Sequence, residues 1–122
     1  MKGYIIVFNC KKGEVIIKSK IFPIKEGYYV YVGSCGLYCD KRISRHFSKE
    51  KRKKHWHIDY LSELCEPLFA IVLPQQEKEI AKLLSEFDYV KGFGSTDDNE
   101  NPSHLFRVSL ISLLNLIRGI SE

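Results

Sequence analysis

An alternating aromatic and β-branched run that stops at a glycine, Gly27-Tyr28-Tyr29-Val30-Tyr31-Val32-Gly33-Ser34, most constrains how this chain can fold. Strand side chains point alternately to opposite faces, so Tyr29, Tyr31 and Gly33 share one face and Tyr28, Val30 and Val32 the other. A short loop then leads into a basic helix in which Arg42, Arg45 and His46, at i, i+3 and i+4, project from one side. Ile43 and Phe47, four apart, are expected to form its opposite, buried side. One tyrosine-bearing strand and one cationic helix meeting at a glycine suit an anion, phosphate first.

The chain's 122 residues suffice for one compact domain, 1–122, and are too few for two. The net charge of +4 is modest, so its distribution decides more than its total. Between Lys41 and Lys54 lie Lys41, Arg42, Arg45, Lys49, Lys51, Arg52, Lys53 and Lys54, opposed only by Glu50. Cys10, Cys35, Cys39 and Cys65 form no CxxC pair and no leader precedes them, which predicts small buried thiols in a reduced, cytoplasmic protein. Cys35, Cys39, His55 and His57 match no standard zinc spacing. No apolar run approaches a membrane span.

In order, Tyr4 to Phe8 reads as a first strand, apolar on both faces and therefore central. Lys11-Lys12-Gly13 is a turn and Glu14 to Lys18 a second strand. Pro23 and Lys25-Glu26-Gly27 separate that arm from the Tyr28–Val32 strand. Asp40 is expected to cap the basic helix. Ser48 to Lys54 is an exposed connection, and His55-Trp56-His57 opens a short helix ending before Pro67. Leu68 to Leu73 has strand length. From Glu77 to Phe87 the pattern is helical, with Ile80, Leu83, Leu84 and Phe87 on one stripe. A polar loop runs from Gly92 to Pro102, Ser103 to Val108 is a strand, and Ser109 caps a helix carrying Leu110, Leu113, Leu114 and Ile117. The order β-β-β-α-α-β-α-β-α predicts a mixed α/β or α+β domain around a small central sheet flanked by helices.

Tyr31-Val32-Gly33 followed by Arg42 and His46 resembles the YIG half of the GIY-YIG nuclease superfamily. The wider string GYYVYVGSCG…RISRHF…KKHWHIDYL…GFGSTD…SHLF resembles one archaeal-type branch of it over nearly the whole chain, a branch sometimes fused to an endonuclease-three-type DNA glycosylase. The first half-motif departs from the pattern: this chain has Gly3-Tyr4-Ile5 where the superfamily has Gly-Ile-Tyr, and the Glu14–Pro23 arm reads as an insertion. The resemblance implies a DNA endonuclease, with a repair role alongside such a glycosylase suggested by the fusions, that uses one divalent metal, magnesium or manganese, held by a glutamate. Phosphodiester cleavage needs an activated water, charge stabilisation on phosphoryl oxygens and help for the leaving oxygen. Arg42 would clamp the phosphate with its planar fork. Tyr31, with Tyr4 beside it, would accept a proton from water after a metal and an arginine lower its pKa. His46 would orient a tyrosine or the water. Glu77 is favoured over Glu79 as metal ligand because it lies nearer the apolar stripe, and Ser95 or His104 would supply a downstream polar group.

Each residue also has a plainer reading. Strand tyrosines are usually structural, and Asp59 suits a helix start. His55 and His57 would pack the second helix onto the domain, and Asp97 and Asp98 would shape a turn. Arg45 would meet backbone phosphates or solvent. The Lys49, Lys51, Arg52, Lys53 and Lys54 run would track phosphates, with Trp56 stacking on a base. A non-catalytic nucleic-acid-binding module with the same fold and basic face is the alternative to a nuclease, and a protein-interaction partner of a repair enzyme is the third reading. Changing Lys51, Lys53 and Lys54 together to alanine should flatten the salt dependence of DNA binding. An unchanged slope in a fluorescence-anisotropy titration would make the run irrelevant to binding.

Overall fold

A computed structural model describes residues 1–48, 57–95 and 98–121. The chain is a mixed α+β domain with strands β1 (Gly3–Cys10), β2 (Gly13–Ile17), β3 (Lys20–Ile24), β4 (Gly27–Ser34), β5 (Cys65–Leu73), β6 (Asp88–Tyr89) and β7 (Leu105–Val108). Its helices are α1 (Cys39–Phe47), a 3-10 helix (His57–Glu63), α2 (Glu77–Leu83) and α3 (Leu110–Ser121). Five strands form one antiparallel sheet in the order β5-β1-β4-β7-β6, and β2 and β3 form a separate hairpin.

The strict alternation of β1 and β4 requires two apolar layers, and both are present. Tyr4, Ile6, Phe8, Tyr29 and Tyr31 point to a front face covered by the hairpin, the 3-10 helix and the buried Phe93. Ile5, Val7, Val30 and Val32 point to a back face covered by Ile80, Ala81 and Leu84 around α2 and by Leu113 of α3. The register pairs Tyr4 with Gly33 and Ile6 with Tyr31, which sets both tyrosines on the front face near one end of the sheet.

Several expectations are corrected. The arm is a full hairpin, Gly13–Ile24, turning at Lys18 with φ of 56°. Pro23 read as a break, but in a two-stranded ribbon each strand keeps a free edge that tolerates a missing N–H. Strand β6 has two residues and no sequence period to reveal it. Helix α2 ends at Leu83, which is exposed, and the buried set is Ile80, Ala81 and Leu84. On α3, Leu113 is buried while Leu110 and Leu114 face outward. Asp40 lies in the first turn of α1, with Tyr38 at the cap. Strand β7 begins at Leu105, two residues later than expected.

The cysteines are also corrected. Cys10 and Cys65 stand opposite one another in the β1–β5 register and are joined as a disulfide, and Cys35 and Cys39 are joined across the β4–α1 loop. They are neither free thiols nor zinc ligands, and so carry no argument for a reducing compartment. No helix among the described residues is long and apolar enough to cross a membrane.

The start of β1 is held tightly to the start of α2. Gly3 N–H donates to Gln75 O at 2.7 Å, and a Cβ on Gly3 would lie 3.0 Å from Glu77 N and 3.1 Å from Gln75 O. Backbone atoms cannot swing aside, so Gly3→Ala should destabilise the fold by about 1–3 kcal/mol, as overpacked sites do. Urea denaturation of the variant measures this, and an unchanged midpoint would show that β1 and α2 separate freely.

Candidate functional site

At one end of the front face the beginning of β1, the end of β4, α1 and the start of α2 converge. Gly33 makes this possible. A Cβ there would collide with the Tyr4 ring, so only glycine lets that ring lie across the paired strand. Tyr4 Oη is hydrogen-bonded to His46 Nε2 at 2.7 Å, and the His46 ring also lies 5.7 Å from that of Tyr31.

Helix α1 presents its cationic side inward, and of the two residues expected to be buried Ile43 packs against the core while Phe47 does not. His46 is fully buried, Ile43 is half-buried, and Phe47 is 39% exposed. The polar side turns in because each group finds a partner there, as burial of such groups requires. Arg42 Nη1 donates to Ser34 O at 2.7 Å, and its guanidinium packs beside Gly36, whose φ is +58°. Arg45 Nη2 donates to Asp59 Oδ2 at 3.0 Å, and Asp59 is completely buried. Arg45 thus serves an internal ion pair in place of the expected phosphate or solvent, and Asp59 is more than a helix-start residue.

Glu77 opens α2, half-buried, with its Oε1 3.5 Å from His104 Nδ1. Glu79 is exposed. His104 is buried, and its Nε2 is hydrogen-bonded at 2.7 Å to Oδ2 of Asp98. Asn101 Nδ2 donates to the same Asp98 oxygen at 2.7 Å and to Lys78 O at 3.3 Å, and Glu100 N–H donates to Asp98 Oδ1 at 3.0 Å. A carboxylate–imidazole–carboxylate chain therefore ties the loop before β7 to the start of α2. Sequence reasoning singled out His104 but treated Asp98 as a turn residue. Their spacing of six has no period that would have shown the pairing. Asp97 lies outside the described residues, and Ser95 Oγ donates to Pro102 O within its own loop.

His57 pins the same loop from the other side, accepting a hydrogen bond at Nδ1 from Gly94 N–H at 3.0 Å and packing against Phe22 and Phe93. Burial, then Lys20 and Lys18, hold its pKa below the ordinary histidine value. Lys49, Lys51, Arg52, Lys53, Lys54, His55 and Trp56 lie outside the described residues.

Burial outweighs Arg42 at both tyrosine hydroxyls. Burial pushes the Tyr4 hydroxyl up, only partly offset by Arg42, with Glu77 and Asp59 pushing it further up. Burial likewise raises Tyr31, with Tyr4, Glu77 and Asp59 adding to the effect and Arg42 opposing it. Both are neutral phenols at neutral pH. The same influences show that Tyr4, Tyr31, Arg42 and Glu77 lie close enough for each charge to be felt by both hydroxyls.

A divalent metal, where bound, would take Glu77, the site's carboxylate. Magnesium commonly binds through one or two carboxylates, keeping waters and taking phosphate oxygens, so a single oxygen donor beside an arginine fits it. Among the described residues no group of three or more His, Cys, Asp and Glu could hold an ion by itself.

A family model described as a domain of unknown function, DUF123, matches residues 3–120. No curated protein and no solved structure matches the chain.

Burial pushes the Asp98 carboxyl up, but hydrogen bonds from His104, Asn101 and the Glu100 N–H outweigh it and hold its pKa below the usual 3.8. A depressed carboxylate contributes stability above its unfolded pKa and loses it as pH falls through the folded one. Asp98→Asn should therefore cost about 2 kcal/mol near neutrality, through unmatched buried donors. The gap in melting temperature from wild type should hold down to about pH 4 and narrow below it. A gap independent of pH between 2 and 7 would contradict the assignment.

Proposed function

The chain belongs to the DUF123 family, and we propose that it is a metal-dependent endonuclease built on the GIY-YIG plan, hydrolysing phosphodiester bonds of nucleic acid, DNA first. The observation that carries this reading is the convergence of Tyr4, Tyr31, Arg42, His46 and Glu77, drawn from four separate elements, at one end of the sheet. A structural role explains any one of these residues. It does not explain why two phenols, a guanidinium and a carboxylate share one end of a sheet.

Arg42 binds and orients the phosphate. The hydrogen bond to Ser34 O fixes the plane of its guanidinium, and an oriented planar fork suits phosphoryl oxygens. Tyr4 and His46 act as a proton pair: with the His46 proton on Nδ1, Tyr4 donates to Nε2, and a proton accepted at Tyr4 Oη passes on to the imidazole. This arrangement removes the need for a free phenolate. Tyr31 donates from the strand floor to an oxygen of the bound phosphate. Glu77, braced by His104, would hold magnesium or manganese. The ion would supply Lewis-acid stabilisation of phosphoryl charge and a more acidic bound water. A cytoplasmic setting belongs to this proposal because nucleic acid is its substrate, and a repair glycosylase enters as partner through the sequence resemblance alone.

The raised phenols favour one rival, a nucleic-acid-binding module without cleavage. The deciding experiment incubates branched, flap and single-stranded DNAs with the protein and magnesium or manganese. Cutting should vanish in Glu77→Gln and fall about 100-fold or more in Arg42→Ala, the scale for one lost transition-state donor. Arg42→Ala should melt close to wild type, since its side chain serves the site and not the core. Binding without cutting across the panel would leave the module reading, and cutting that survives Glu77→Gln would remove Glu77 from the chemistry.

A further inference from the structure

Away from that site, at the opposite end of the front face, β3, β6 and β7 enclose a groove of about 570 Å³. It is lined by Lys20, Lys25, Lys91 and Arg107, with Asp88 as its one carboxylate and Tyr89 on the rim, 41% exposed. Four cations against one acid make a strongly positive concavity, distinct from the 49–54 run. Its walls are fixed. The buried Tyr29 hydroxyl donates to Lys25 O at 2.9 Å and accepts from Lys25 N–H at 3.0 Å. Arg107 donates from Nε and Nη2 to Glu26 O at 3.1 and 2.7 Å. These bonds hold the β3–β4 turn against β7, so the positive charge is presented on a built frame.

One chain segment links the groove to the site. Tyr29 on its floor shares the front face with Tyr31, two residues along β4. Gly92 lines the groove, and Gly94 lies against the Tyr31 ring. The segment from Gly92 to Gly94 therefore runs from one to the other.

We propose that this groove is a second nucleic-acid subsite, holding a single-stranded segment whose phosphates meet Lys20, Lys25, Lys91 and Arg107 while a base stacks on Tyr89. Lysines are point charges suited to tracking a backbone, and base–aromatic stacking tolerates any sequence. An acidic peptide fits less well. Bidentate carboxylate recognition favours arginine, and two donors of Arg107 are already spent on Glu26 O.

The proposal shares only its ligand class with the nuclease reading, and its test involves no cutting. Full-length protein in EDTA is titrated into a fluorescein-labelled oligothymidylate at several salt concentrations, with anisotropy as readout. The variant Lys20→Ala/Lys25→Ala/Lys91→Ala should lower the salt slope by about 2, three single-strand phosphate contacts' worth. Tyr89→Ala should weaken binding about tenfold with its slope unchanged. All four side chains are exposed, and the Lys25–Asp88 contact of 3.8 Å is a surface pair, so both variants should melt as wild type does. Wild-type slope and affinity in both variants would overturn the subsite. So would polyglutamate displacing the oligonucleotide as effectively as unlabelled DNA, which would reveal an indiscriminate polyanion patch. Binding unaffected by the groove variants in a protein that still cuts with metal would sink this subsite alone, whereas groove-dependent binding without any cutting would sink only the nuclease reading.

Discussion

The site depends on one close approach, the Tyr4 ring lying over the backbone of Gly33. Antiparallel pairing sets those residues opposite each other, and any side chain at 33 would occupy the space of the ring. With the ring laid flat across β4, its hydroxyl reaches His46 on the helix that follows β4. The glycine therefore does more than end a strand. It determines how near α1 can come to β1, and hence where Arg42 and His46 stand. Gly3 does the same for α2, bringing the Glu77 backbone within van der Waals reach of β1. Two missing side chains on adjacent strands bring two helices to the same end of the sheet.

Having drawn polar groups into that end, the fold pairs them. Arg45 meets Asp59, Tyr4 meets His46, and His104 sits between Glu77 and Asp98. Leaving any one of these unpaired would cost free energy comparable with a large share of a small domain's stability. The pairing also has a chemical consequence. The burial that orients the phenols raises their pKa, so a lone tyrosinate base is disfavoured. The Tyr4 hydroxyl accordingly stays protonated and hydrogen-bonded to His46.

Much of this was legible in the sequence wherever a period was long enough to read. The alternation in Tyr28–Val32 fixed the faces correctly, and Tyr29 and Tyr31 do lie opposite Val30 and Val32. The i, i+3, i+4 set of Arg42, Arg45 and His46 does share one side of α1. What failed was the inference that charge means outside. Hydrophobic patterning assigned Phe47 to the core, but the tertiary partners of the cations, Ser34 O and Asp59, lie 8 and 14 residues away and leave no local trace. The same holds for Asp98 and His104, whose link depends on a loop with no repeat. Cys10 and Cys65 are 55 residues apart, so only the β1–β5 register brings them together.

The loop before β7 shows how these long-range contacts organise function. It is held by His57 at Gly94, by Asn101 at Lys78 O, and by His104 beside Glu77. The first anchor lies on the 3-10 helix and the other two on α2, so the loop is a brace between those two elements. Such a brace matters because Glu77 sits in the first turn of a seven-residue helix with no side-chain cap. A short uncapped helix is marginal alone, and its first turn is where it frays. With Asp98 orienting His104 and His104 facing Glu77, the carboxylate's position is set by buried groups outside α2. The geometry that a phosphate would meet is thus held by the loop, which is itself tied to β4 where the Val32 N–H donates to His104 O at 2.9 Å.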